Sequence, residues 1–237
     1  MENNSISIIG RGYYGDFLFQ LLDSKNNIIR SYDKGKDKNI PSNFFNSEIY
    51  FLAVSLKDLE SAIIENKILF PKNSIIIETC SVNNFPKQIL TKHLSHLNLI
   101  SSHTLFGPKS LKNTDQVKEI VLENINSSKV KYDKVQKLFT ALNLNIIEKT
   151  ASEHDKEMAT THLYTQLIAL LLQNLNFNKK SLYTQSSKEL LNFTETLKPE
   201  IDLLKEILTY NKFSTESLEI FLLELNTTLK KIGYEKN

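Results

Sequence analysis

Residues 5–22 read SISIIGRGYYGDFLFQLL, and this stretch decides the fold. An Ile-rich run leads straight into glycines at 10, 12 and 15, and an amphipathic segment opens immediately behind them. Strand, Gly-x-Gly-x-x-Gly and helix follow one another in the order that builds a dinucleotide-binding unit. The first glycine makes the tight turn, the second lets backbone approach a pyrophosphate, and the third lets helix pack on strand. The helix N-terminus favours the phosphate charge. A glycine-bearing turn in another α/β fold is the alternative, and the chain downstream separates the two. Asp33 follows Gly15 by 18 positions in RSYDKGK (30–36), close to the offset of about 20 residues at which such units place an acidic group. A carboxylate there accepts hydrogen bonds from ribose hydroxyls and repels a 2′-phosphate. The expected cofactor is therefore NAD, and Lys34 and Lys36 beside Asp33 leave NADP open. The candidate cofactor contacts are Gly10, Arg11, Gly12, Tyr13, Tyr14, Gly15, Asp33 and Ser55, the last just beyond EIYFLAV (48–54).

Outward from this loop, short apolar runs recur at 5–10, 27–32, 48–54, 74–80, 97–102, 119–124 and 143–149. GDFLFQLLDS, SLKDLESAIIEN and NNFPKQILTKHL, lying between the early runs, have helical periodicity. Near-continuous Ile, Val and Leu strands separated by helices predict a mostly parallel sheet covered on both faces. After residue 150 the texture changes. SEHDKEMATTHLYTQLIALLLQNLNF (152–177) repeats its apolar residues at three and four, and Ser152 with Asp155 resembles a capping box. Further helices are expected at roughly 185–197, 200–210 and 214–232, with no strand pattern. The expected organisation is an α/β Rossmann-like dinucleotide-binding domain over 1–150, then an all-α substrate and dimerisation domain over 151–237.

Composition narrows the function classes. Of 237 residues, 41% are hydrophobic and 24% charged, an ordinary globular balance. A net charge of +2 argues against nucleic acid or an anionic membrane as the main partner. Cys80 is the single cysteine, so no internal disulfide forms, and a reducing compartment fits. Cys80 itself reads as a small buried residue. MENNSISIIG lacks the layout of a secretion signal. No apolar run approaches the roughly 20 residues that span a bilayer; LIALLL (167–172) is the densest. A cytoplasmic protein with no metal site is expected.

SSHTLFGP (101–108) places one of five histidines at the end of an apolar run, before a Gly-Pro loop. By itself His103 reads either as a packed, hydrogen-bonded histidine or as a proton acceptor at the rim of a site. Ser81 stands in a similar place after the fourth run, where a hydroxyl either caps the next turn or serves a ligand.

Taken together, these segments resemble the prephenate and arogenate dehydrogenases of tyrosine biosynthesis. RGYYGDFL is similar to the family's nucleotide loop, TCSVNNFPKQIL to its Ser-Val-Lys segment, and SHTLFGPKS to its His-Pro-Met-Phe-Gly-Pro-Glu-Ser motif. SEHDKEMA resembles its Glu-His-Asp helix start, and TQSSKELLNFTETL with TYNKF resembles the arogenate branch. The resemblance implies a Rossmann-like domain followed by a helical domain that forms a homodimer. It implies oxidative decarboxylation of a cyclohexadienol, prephenate or arogenate. Hydride passes to the nicotinamide, a base takes the hydroxyl proton, and the resulting ketone draws electrons as the ring carboxylate leaves. His103 falls on the family's base, and Ser81 on the serine that bonds the same hydroxyl and the histidine. A neutral imidazole, with an unperturbed pKa of about 6.5, suits the task at cytosolic pH.

The departures lie on the substrate side. Asn83 replaces the family's Lys, Thr104 its Pro and Lys109 its acidic residue after Gly-Pro. The family's second histidine, twelve positions beyond that of Glu-His-Asp, is Gln166, while His162 falls where the family has Ser or Gln. The substrate-binding arginine of the helical half is missing, since Arg11 and Arg30 are the only arginines. Lys188 falls near its position, and Lys109, Lys179 and Lys180 are further cations that could meet a carboxylate. Candidate substrate contacts are thus His154, His162, Gln166, Lys109 and Lys188, although His154 and Asp155 could also simply open their helix. His162 and Gln166 lie one turn apart on one face. Two other readings stay open: a relative that binds NAD(P) but acts on another substrate, and a nucleotide-binding protein without turnover. The chain ends soon after its last helix, so no regulatory amino-acid-binding domain is expected.

Overall fold

The computed structural model describes residues 4–23, 27–107, 117–197 and 201–234. It divides into two compact units, Met1–His154 and Asp155–Asn237.

The first unit is a seven-stranded sheet. Its strands are β1 (Asn4–Ile9), β2 (Asn27–Tyr32), β3 (Ile49–Leu52), β4 (Ile75–Glu78), β5 (Asn98–Thr104), β6 (Lys118–Asn124) and β7 (Leu144–Glu148). Each grows from one of the apolar runs. Their spatial order is β2-β1-β3-β4-β5-β6-β7, with every pairing parallel except antiparallel β5–β6. Ile49, Tyr50, Phe51 and Leu52 of β3 and Ile75, Ile76 and Ile77 of β4 are all buried. Both sheet faces are therefore covered, which is why these strands read as unbroken apolar runs instead of alternating ones. The helices are α1 (Tyr13–Leu22), α2 (Leu56–Asn66), α3 (Asn84–Leu94) and α4 (Lys129–Ala141). The last was not singled out in the sequence, though its Tyr132, Val135, Leu138 and Phe139 follow helical spacing and enter the core.

Strand order reverses at β1: the chain runs outward to β2, then returns to add β3 on the other side. In open α/β sheets the crevice beyond the strand ends at such a reversal is where ligands bind.

The second unit is helical, with no strand among its described residues. The expected long helix over 152–177 is two helices, α5 (Ala151–Met158), which begins in the first unit, and α6 (Thr161–Asn174). They are followed by α7 (Gln185–Thr196), α8 (Ile201–Tyr210) and α9 (Ser214–Lys231). Tyr164 Oη donates to the Ser217 carbonyl at 2.7 Å, tying α6 to α9. The TYNKF motif has a structural task here. Asn211 Nδ2 donates to the Asp155 carbonyl at 2.7 Å, and its Oδ1 accepts from Phe213 N at 3.0 Å.

The helix start around residue 151 corrects one expectation. Ser152 and Asp155 do not form a capping box, because Ser152 already lies inside α5. Thr150 and Glu153 do: Thr150 Oγ1 accepts from Glu153 N at 3.2 Å, and Thr150 N donates to Glu153 Oε2 at 2.9 Å. The spacing was right but the frame was two residues off, since Thr150 satisfies the same pattern.

Candidate functional site

At the strand reversal the three glycines have different physical reasons. Gly10 sits at φ +103, and a Cβ there would lie 2.3 Å from the Ala53 carbonyl oxygen of the neighbouring strand's exit. Its amide donates to the Tyr32 carbonyl at 2.8 Å, so the turn is held between β2 and β3. A Cβ on Gly15 would lie 2.1 Å from the Gly10 carbonyl oxygen, so α1 can rest on the loop only without a side chain there. Gly12 is different. Its φ of −71° and ψ of −175° suit any residue, and a Cβ there would meet nothing within 4 Å. The protein's own packing does not require glycine at 12, and the space beyond this backbone is open.

Asp33, just past β2, closes the other side. Its Oδ2 accepts from Arg11 N at 2.8 Å and its Oδ1 from Gly35 N at 2.9 Å. The Arg11 amide bond above all, with the Gly35 amide and Lys36, holds this carboxyl below the usual carboxylate range, so it stays ionised. Asp37, which the sequence reading passed over, accepts from the Arg11 guanidinium at 2.9 Å and from Asp33 N at 2.8 Å. The two lysines that left NADP open are engaged: Lys34 Nζ lies 2.7 Å from Glu65, and Lys36 Nζ donates to the Arg11 carbonyl. A cleft of about 810 Å³ opens here, lined by Gly10, Gly12, Asp33, Ser55, Asp58 and Glu65 among others. Its volume and donor set fit the adenosine and pyrophosphate of a dinucleotide, and its carboxylates disfavour an added phosphate on the ribose. Tyr13, beside Gly12, is exposed.

Tyr14 faces inward on α1. Its ring packs on Phe17 at 5.4 Å, and its hydroxyl lies 3.1 Å from Thr104 Oγ1 at the end of β5. Loss of solvent around the hydroxyl pushes its pKa up to about 12. The fold thus favours the neutral phenol. That stabilisation is complete below the ordinary phenol value near 10 and is lost as pH rises from 10 towards 12. Thermal stability should fall across this window by up to about 2–3 kcal/mol from Tyr14, and the fall should be shallower in Tyr14→Phe. Identical pH profiles for both proteins would exclude Tyr14 as a source.

Farther along the same sheet edge lie the two expected catalytic positions. His103 is on β5, and Ser81 lies three residues past the end of β4. These strands are parallel neighbours in which Glu78 pairs with Ser101, so both residues emerge at their carboxyl ends. His103 is 9% exposed, and its Nδ1 stands 2.8 Å from Nε2 of His154, which is fully buried on α5. Ser81 is half-buried.

Glu78 was missed in the sequence. It is wholly buried; Oε2 accepts from Cys80 N at 2.8 Å, Oε1 accepts from Ser101 Oγ, and its carbonyl accepts from Ser102 Oγ at 2.9 Å. It fastens the turn carrying Ser81 to the strand carrying His103. The signal was an acidic residue closing an Ile-only run, where a charge survives only if the neighbouring strand supplies donors.

In the helical unit, His162 and Gln166 meet on α6 as their spacing predicted, with Nε2 atoms 3.3 Å apart. Gln166 is buried, and its Oε1 has no hydrogen-bond partner among the described residues. Lys179, Lys180 and Lys188 are exposed. Lys109 lies outside the described residues. No helix among the described residues is long and apolar enough to cross a membrane.

No family model matches the chain. It is 24% identical over 243 residues to arogenate dehydrogenase 1, chloroplastic, of Arabidopsis thaliana, an alignment covering 90% of this chain and 37% of that protein. The chain thus spans little more than a third of that curated relative. Among solved structures it is similar to Synechocystis arogenate dehydrogenase, with a TM-score of 0.70, 16% identity and coverage of 96% and 91% of the two chains. It is likewise similar to Aquifex aeolicus prephenate dehydrogenase in complex with hydroxyphenyl propionate and NAD+, with a TM-score of 0.71, 13% identity and coverage of 98% and 91%. The fold is the one these dehydrogenases share, and the resemblance read from the motifs is matched by likeness in sequence and structure.

Proposed function

We propose that this protein is an NAD-dependent oxidoreductase that oxidatively decarboxylates prephenate or arogenate. The observation that carries the reading is the presence, on one sheet edge, of a glycine loop with an open approach at Gly12 and of His103 at the end of β5. The likeness to a relative named arogenate dehydrogenase, and to a prephenate dehydrogenase solved with NAD+, supports it.

Gly10, Arg11, Gly12 and Gly15 would hold the pyrophosphate against the start of α1, with Asp33 on the ribose and Ser55 at the cleft wall. Bound there, NAD supplies the hydride acceptor. His103 takes the proton of the substrate hydroxyl through Nε2, and Ser81 orients that hydroxyl. The ketone so formed draws the electron pair released as the ring carboxylate leaves as CO2, and the ring oxygen takes back a proton to give the phenol. The acidic lining of the cleft favours NAD over NADP. His162, Gln166, Lys109 and Lys188 are our candidates for binding the substrate's polar groups, and His154 is assigned a different task below.

The helical unit leaves Leu171, Leu175, Ile220, Leu222, Leu223 and Leu225 exposed. Apolar surface of this extent fits contact with a second copy. Light scattering should give twice the chain mass, and Leu223→Glu should lower it; a monomeric wild type would refute the dimer.

The deciding experiment is nicotinamide reduction by the purified protein, with prephenate and arogenate each tested against NAD and NADP. Turnover with either substrate and NAD is expected. The second reading, a relative acting on another substrate, is favoured by one observation: both arginines lie in the first unit, leaving the helical unit without a guanidinium for a carboxylate. NAD binding without turnover on either substrate would select it.

A further inference from the structure

We propose that His154 is a positioning residue that holds His103 in the tautomer able to accept a proton; the inference rests on the base role assigned above. The two rings meet edge to face, with centroids 5.0 Å apart and an interplanar angle of 83°. His103 Nδ1 and His154 Nε2 are 2.8 Å apart, a hydrogen bond between two imidazoles. In a neutral pair one nitrogen must donate and the other accept. If His154 donates, the single proton of His103 sits on Nε2, and that nitrogen cannot act as a base. If His103 Nδ1 donates, its Nε2 carries a lone pair, and the bond orients that lone pair. A catalytic His103 requires the second arrangement, with His154 as acceptor. A histidine present only for packing would be satisfied by either.

His154 is held for this task. It is fully buried in the first turn of α5, and that turn is tied down on three sides. Thr150 and Glu153 close the capping box. Ala151 N donates to Glu123 Oε2 at 3.0 Å, while Glu123 Oε1 meets Lys87 Nζ at 2.6 Å. Asn84 Nδ2, at the start of α3, donates to the Ala151 carbonyl at 3.1 Å. β6, which carries Glu123, lies beside β5. The strand bearing His103 and the helix start bearing His154 therefore share one rigid frame, and a fixed partner on the far nitrogen sets tautomer and ring orientation.

The test reads the tautomer directly. Nitrogen-15 NMR of the histidine-labelled protein, with the His103 ring assigned by its disappearance in His103→Asn, should show Nδ1 protonated and Nε2 bare. A proton on Nε2 overturns the proposal. Kinetics give a second readout: His154→Leu removes the acceptor and should lower kcat about 10–100-fold with KM little changed. His154→Gln keeps an acceptor at similar reach and should recover most of the rate. Undiminished kcat in His154→Leu, or equal losses in both variants, also overturns it. If His154→Leu does not fold, the wild-type spectrum decides. The base role fails separately, through undiminished turnover in His103→Asn, whatever the spectrum shows.

Discussion

Replacing His103 by asparagine is expected to lower kcat by about 10²–10⁴-fold, the usual contribution of a positioned general base, while NAD affinity stays near wild type. The two halves of this expectation have separate physical sources. Asparagine is close to imidazole in size and can still hydrogen-bond at the Nδ1 position, so the end of β5 and its bond network around Glu78 should persist. What it lacks is a nitrogen that can accept the hydroxyl proton at neutral pH. The cofactor cleft is lined by residues from β1, β2, α2 and the segments that follow β1, β2 and β3, and His103 is not among them. Calorimetric titration with NAD alongside turnover would separate the two effects. Undiminished turnover would remove His103 from the chemistry, and lost NAD binding would show that the substitution had damaged the fold.

The second large effect is a contrast between neighbouring glycines. Gly10→Ala should destabilise the protein by about 3 kcal/mol or more, since a non-glycine at positive φ alone costs about 1–3 kcal/mol. The added Cβ would also press on the Ala53 carbonyl, a backbone atom of the sheet that cannot rotate away. For a chain of this size that corresponds to a fall in Tm of about 6–12 °C. Gly12→Ala should leave Tm nearly unchanged, because its backbone is ordinary and the space beyond it open. Its cost should fall on the ligand instead, weakening NAD by at least about tenfold as the methyl group keeps the pyrophosphate from the backbone. Wild-type NAD affinity in Gly12→Ala would falsify the placement of the pyrophosphate at this turn.

Much of this was open to a reader of the linear chain. Seven apolar runs became seven strands, the glycine loop joined β1 to α1, and Asp33 came directly after β2, because each feature is encoded within a few residues by periodicity, turn chemistry and offset. The same local logic predicted the contact between His162 and Gln166, one helical turn apart. It failed where two frames fitted equally well, as at Thr150, and where a helix of modest amphipathicity such as α4 sat between two strands.

Other features arise only when distant segments meet. Glu78 reads as an unremarked acid until Ser101, on the next strand, and the Cys80 amide converge on it. Lys34 and Lys36 read as possible phosphate binders until Glu65 and the Arg11 carbonyl take them up. His103 and His154 are 51 residues apart, and no spacing rule joins them. Composition, periodicity and motif order thus sufficed for the architecture and for the residue types at the sheet edge, since these depend on short-range sterics and on which face is apolar. Which nitrogen finds which partner depends on packing between segments far apart in the chain, and that was decided only by the folded structure.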